Sequence, residues 1–292
     1  MSLADQFSAN VRQVIQQKGS KLWKIVTREG IKGKYGYIDQ IGRVDAVKKT
    51  VRHDNTPQMD TPHRRRRIGL ETYHWADLVD NEDKLKSVYL PESEYVKAGG
   101  YAMGRAIDKV IIEAAFGNAY TGVSGETVVG LPTSQIIDPN CSSRFTFEKL
   151  REIKALFDED DAPSEGRYIV LTSSQLDDLL GETKVTSSDF ASAKALAEGE
   201  LREFMGFKFI QLNAKDADGE LFLPKVMSGE NKIGRSCLAF QTDGLCLGEG
   251  QVPTMKMTER DDKCYATQVY YEMTIGATRM QEELVIKVNC KE

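Results

Sequence analysis

The sequence predicts a mixed α+β fold built on one long helix, with a thin two-stranded arm and a closing pair of strands. Three observations carry this reading. Between Glu92 and Phe116, the residues Val96, Met103, Ile107, Val110, Ile111 and Ala114 recur at three- and four-residue steps, as in a helix that buries one face. Upstream, two runs rich in strand formers, 34–51 and 65–79, flank HDNTPQMDTPH (53–63), whose prolines, aspartates and asparagine leave almost nothing to bury. Near the end, Tyr265–Ile275 and Leu284–Val288 combine Tyr, Val, Thr and Ile with period-two patterning.

Taken in order, residues 3–17 place Leu3, Phe7, Val11, Val14 and Ile15 at helical spacing. So short a helix is marginal alone and must dock on the body or on a neighbour. The arm follows, over residues 33–78. An isolated two-stranded ribbon is barely stable in water, so this one needs another chain to lie on. Its charge points the same way. Residues 43–67 carry eight basic side chains (Arg43, Lys48, Lys49, Arg52 and Arg64 to Arg67) against Asp45, Asp54 and Asp60, a local net of +5. Residues 71–94 carry Glu71, Asp77, Asp80, Glu82, Asp83, Glu92 and Glu94 against Lys84 and Lys86, a net of −5. Opposite patches at different places on one chain suit head-to-tail association. The candidate inter-subunit contacts are therefore Arg52, Arg64, Arg65, Arg66, Arg67, Asp77, Asp80, Glu82 and Asp83. Four consecutive arginines in a strand point to alternate faces, which favours protein contacts over a single nucleic-acid patch.

The long helix is opened by Pro91 in a first-turn position and closed by Gly117 and Asn118, and would run about 37 Å at 1.5 Å per residue. Residues 119–245 read as a mixed unit, with helices near Thr146–Asp158, Ser174–Leu180 and Asp189–Phe204 and a strand at Tyr168–Leu171.

The search for chemistry yields little. All three histidines, His53, His63 and His74, fall in or beside the exposed arm, where a base lacks a pocket and an orienting partner. GGYAMGRA (99–106) has Arg105 and Ala106 where a phosphate loop needs Lys and Ser or Thr, and it lies inside the helix. TGVSGE (121–126) puts Glu126 where a nucleophile elbow needs its second glycine. The acidic run Asp158–Asp161 lacks the alternating ligand spacing and the glycine of a calcium loop. No catalytic residue, metal ligand or cofactor is expected. Lys and Arg number 39 and Asp and Glu 44, a net of −5, so any contact with DNA is local and nonspecific. The five cysteines are widely spaced and include no CxxC pair, which favours reduced thiols. No secretory signal is read at the N-terminus, and no apolar run approaches the ~20 residues needed to cross a bilayer, so no membrane partner is expected.

Four stretches then matter together. DNTPQMDTPHRRRRIGLETYHWADLVD (54–80) and SEYVKAGGYAMGRAIDKVIIEAAFG (93–117) resemble tailed-bacteriophage major capsid proteins. VTSSDFASAKALAEGELREFMGFKFI (185–210) and ERDDKCYATQVYYEMTIGATRMQEELVIKV (259–288) resemble later parts of the same sequences. The resemblance implies the Hong Kong 97-like capsid fold. It divides the chain into an N-terminal arm (1–32), an extended loop (33–78), a peripheral domain with a spine helix (79–118 and 246–292) and an axial domain (119–245). It implies a structural protein, not an enzyme, that assembles with itself into hexamers and pentamers of an icosahedral shell around double-stranded DNA. A separate scaffolding protein, a portal and a decoration protein are the implied partners. The location implied is the virion, after synthesis and assembly in the host bacterial cytoplasm. An encapsulin-like cellular nanocompartment with the same fold is the alternative. An enzyme with an acidic site around Asp158–Asp161 is a third reading.

Overall fold

The computed structural model describes residues 17–52, 56, 58–80, 92–181, 203–215, 219–228 and 232–292. The expected N-terminal helix at 3–17 lies outside them apart from Gln17, as do Glu82, Asp83, His53 and all but the end of the expected helix at 189–204.

Three helices are described: α1 (Glu92–Phe116), α2 (Phe147–Glu159) and α3 (Ser173–Leu180). Their ends follow local chemistry. Thr146 caps α2 by accepting from the backbone N–H of Lys149, and Thr172 with Gln175 forms a capping box on α3. At the other end of α1, Gly117 N–H donates to Glu113 O, and a side chain at Gly117 would strike that carbonyl.

The strands form three sheets. In the first, β1 (Thr27–Gly30), β13 (Leu245–Arg260), β14 (Ala266–Arg279) and β4 (Glu71–Val79) lie in that order. In the second, β7 (Ile136–Ile137), β15 (Val285–Lys291), β12 (Lys232–Gln241), β8 (Arg167–Leu171), β10 (Phe207–Gln211) and β9 (Glu203–Phe204) follow one another, and β11 (Lys225–Ser228) also pairs with β12. The third consists of β2 (Tyr35–Ile41), β3 (His63–Gly69), β5 (Ala119–Thr121) and β6 (Thr127–Val129).

One cluster joins α1 to two of these sheets. Met103, Ile107, Ile111 and Ile112 of α1 are buried with Val269, Met273 and Ile275 of β14 and with Val170, Leu238, Phe240 and Val285 of the second sheet. Alternate residues of those last strands, Ile169, Leu171, Ala239, Ile286 and Val288, point the other way. They form a second core with Leu150, Ile153 and Phe157 of α2 and Leu176 and Leu179 of α3. Burial on both faces explains why the sequence at Tyr168–Leu171 is continuously apolar.

Glycines set two close approaches. In GGYAMGRA, a Cβ on Gly104 would lie 2.5 Å from the backbone of Gly19, and one on Gly99 would meet Tyr271 and Trp75. These glycines let the N-terminal strap, residues 17–26, and the first sheet press against α1; they are packing residues.

The structure corrects four expectations. The run 65–79 is not one strand: it breaks at Leu70, with β3 in the third sheet and β4 in the first. The run 34–51 is a strand only to Ile41, and Val44, Val47 and Val51 are exposed beyond it. The final strands part company, since β13 and β14 pack on α1 while β15 pairs with β12 in the sheet of the 119–245 unit. Residues 203–204, expected to end a helix, form β9.

A buried ion pair fixes the bottom of the second sheet. Lys149 Nζ lies 2.8 Å from Asp138 Oδ2 and donates to the carbonyls of Ser143 and Asn289. Burial alone would raise the Asp138 pKa. Lys149 and the N–H groups of Ser142 and Ser143 instead hold it well below the usual carboxylate range. A depressed folded pKa contributes stability that is present above the unfolded value, about 4, and is lost as pH falls through the folded one. Asp138→Asn should therefore lower the urea midpoint at pH 7, with the gap to the parent closing progressively below about pH 4. A gap that stayed constant down to pH 2.5 would contradict this.

Candidate assembly surfaces

The arm arginines sit where β3 is held between β2 and β5. Strand alternation splits them, as the sequence predicts. Arg65 and Arg67 face the side that carries Tyr35, Tyr37 and Tyr120. Arg65 is paired in register with Asp39, and its Nε donates to Asp39 Oδ1 at 2.5 Å and its Nη2 to Oδ2 at 3.2 Å. The Arg65 hydrogen bond lowers the Asp39 pKa. Arg67 lies over the rings of Tyr120 (4.6 Å) and Tyr35 (5.0 Å). The TGVSGE segment is the turn between β5 and β6, and Gly125, at φ +70°, lies so close to the Arg67 side chain that a Cβ there would clash.

Arg64 and Arg66 point the other way, with different fates. Arg64 is exposed, whereas Arg66 is buried. Arg66 Nε donates to Met280 O at 3.0 Å and Nη2 to Glu282 Oε2 at 2.6 Å. The same carboxylate lies 3.5 Å from Arg279 Nε as an ion pair, and Arg279 is wholly buried, its Nη1 donating to Ala115 O and Gly117 O and its Nη2 to Val129 O. Arg66 is thus a clamp within the subunit, joining the arm to the β14–β15 turn. Nothing local in the sequence sets Arg66 apart from the surface arginines, because its partner Glu282 lies 216 positions away.

The remaining candidates are spread out. Arg52 is exposed in the coil beyond β2. Asp77 and Asp80 are exposed at the far end of β4, where Asp77 lies opposite Val269. The structure therefore puts Arg64 to Arg67 in the third sheet and Asp77 in the first, with Asp80 just beyond β4, on strands that part at Leu70.

No group of three or more His, Cys, Asp or Glu among the described residues could hold a metal. Asp158 is engaged by Lys154 and Arg167, and Asp160 accepts from Gln135. His63 and His74 are exposed. All five cysteines are free, and burial pushes the Cys246 thiol up to about 12. Among the described residues no helix is long and apolar enough to cross a membrane.

The fold matches that of solved phage capsids. A structure titled "Mycobacterium phage Che8" aligns with a TM-score of 0.70 at 16% identity, covering 98% of this chain and 96% of that one. The head of Helicobacter pylori bacteriophage KHP40 gives 0.74 at 12% identity, over 99% and 96%. The Cyanophage Pam1 capsid asymmetric unit gives 0.73 at 11% identity, again over 99% and 96%. The fold is the Hong Kong 97-like capsid fold. A search of curated proteins finds no match. A family model described as "Phage capsid protein" matches residues 2–292, and the chain belongs to that family. The nanocompartment alternative is not favoured, since the matching family model is that of phage capsid proteins.

Proposed function

We propose that this chain is the major capsid subunit whose hexamers and pentamers close into an icosahedral shell around double-stranded DNA, located in the virion. The observation that carries the reading is the arm: beyond Ile41 it keeps Val44, Val47 and Val51 exposed, with no strand partner among the described residues. A segment so built is stabilised by lying on another subunit. We assign residues 1–32 to an N-terminal arm, 33–70 to the extended loop, 71–118 and 246–284 to the peripheral domain with α1 as spine, and 119–245 with β15 to the axial domain. The net charge of −5 gives no general attraction to packaged DNA, so contact with it would be local and nonspecific. A scaffolding protein, a portal and a decoration protein are the partners we expect, with assembly in the host bacterial cytoplasm and no catalytic role.

The test is negative-stain microscopy of the purified protein, alone and co-expressed with a scaffold from the same phage. Rings, tubes or shells are expected. A monomer that persists at high concentration under both conditions would refute the reading. Charge reversal of Arg65 and Arg67 should reduce shell yield while leaving the subunit folded, and unchanged yield would remove those two residues from the contact.

A further inference from the structure

Between the base of the arm and the β14–β15 turn lies a cavity of about 360 Å³, lined by Gln40–Arg43, Pro62, Arg64, Arg66 and Met280–Glu283. Its polar wall is not electrically closed. Arg66 and Arg279 share the single buried carboxylate of Glu282. Arg66 Nη1 is buried and has no hydrogen-bond partner. Burying a guanidinium donor without an acceptor is costly, and one carboxylate leaves two buried cations with an excess of positive charge. At the rim, Arg64 and Arg43 add to that excess. Arg43 has only a loose, fully exposed contact with Asp45 at 3.7 Å. Glu283 is exposed beside them.

We propose that this pocket receives a carboxylate side chain of a second copy of the chain, supplied by the exposed acids Asp77 and Asp80 at the end of β4. Two features favour that occupant. A carboxylate offers paired acceptors to the forked donors of arginine, and the segment 71–94 is the chain's own strongly acidic stretch, with a net of −5. In addition, the pocket lies beside the β2–β3 pair and the acids at the far end of β4, so their contact joins unlike patches of two copies, which is the geometry that closes rings. The proposal rests on the shell reading above and names the contact that reading needs.

The experiment compares the parent, Arg43→Glu/Arg64→Glu, Asp77→Lys/Asp80→Lys, and an equimolar mixture of the two variants. Shell yield is read by sedimentation and microscopy, and folding by the thermal midpoint of each subunit. In parallel, a labelled peptide of residues 76–86 is titrated into each full-length subunit. Each variant alone should lose about tenfold in shell yield with its midpoint unchanged, and the arginine variant should bind the peptide about tenfold more weakly. The mixture should regain the loss in part, because like-charge pairs become opposite at half of its contacts. Parent-like yield from both variants, or peptide binding indifferent to Arg43 and Arg64, would overturn the pocket while leaving the shell reading intact. Peptide binding that depends on Arg64 in a protein that forms no shells would sustain the pocket and sink the shell reading.

Discussion

Glu282→Ala is expected to destabilise the subunit by about 3–5 kcal/mol, more than Arg66→Met does, although the two residues form one ion pair. The asymmetry follows from charge. Removing Glu282 leaves the guanidiniums of Arg66 and Arg279 buried together with no counter-charge. Removing Arg66 leaves Glu282 with Arg279, one charge against one, and about 1–3 kcal/mol is expected from the lost hydrogen bonds to Met280 O and Glu282. The pair is shielded, with side-chain exposures of 4% for Arg66 and 11% for Glu282, so the effect should change little between 0.05 and 0.5 M salt. Urea unfolding of the two variants at both salt concentrations is the measurement. An Arg66 variant as unstable as the Glu282 variant would mean that the Arg279 contact carries no weight.

The second large effect is expected at Asp108, which lies wholly buried on α1. Its carboxylate accepts from the side chains of Gln17 and Ser20 and from the backbone N–H groups of Lys21 and Leu22, tying the N-terminal strap to the helix. Leu22 and Val26 are buried on the core just beyond it. Asp108→Ala leaves several donors unsatisfied and should cost about 3 kcal/mol, while Asp108→Asn, which keeps one acceptor oxygen, should cost less. The damage should be local. Trypsin should cut faster after Lys18, Lys21 and Lys24 in Asp108→Ala, with cleavage elsewhere unchanged. Gly104→Ala should produce the same pattern from the steric side, because its new methyl would strike the backbone of Gly19 and Ser20. Uniform acceleration of cleavage at all sites would show that the strap and the body unfold together.

Much of this was legible before the fold was known. α1 declared itself through periodicity and bounding residues, and its bounds, Glu92–Phe116, coincide with the expected ones. The strands at 167–171 and 266–279 and the helices at 147–159 and 173–180 lie within a few residues of expectation, because each combines a clear period with a cap or a turn. What could not be read was long-range. β13 contains Gly248, Gly250 and Pro253 and does not look like a strand of sixteen residues; it is one because Gly248 pairs in register with Gly276 and register shifts between Glu249 and Thr254 absorb Gly250 and Pro253. Leu70 gives no local sign that the chain changes sheets there. The close approach beside it, Gly276 to Gly69, where a Cβ would stand 1.9 Å from the carbonyl oxygen, joins positions far apart in sequence. The candidate site shows the same limit. Alternation along β3 separated the arginines correctly, yet only the partner Glu282 decides that Arg66 belongs to the interior.

The corner at Leu70 also sets a path for mechanical load. The arm does not hang from a loop: β3 passes through a single residue into β4, which is registered against β14 over nine residue pairs, Glu71 to Val79. Inter-strand hydrogen bonds lie perpendicular to the strands, so the component of arm tension that acts along β4 loads this ladder in shear, all bonds together. Force applied to the arm by a neighbouring subunit would thus pass into the sheet that backs α1. The coil beyond Ile41, which has no such ladder among the described residues, would be the part that stretches.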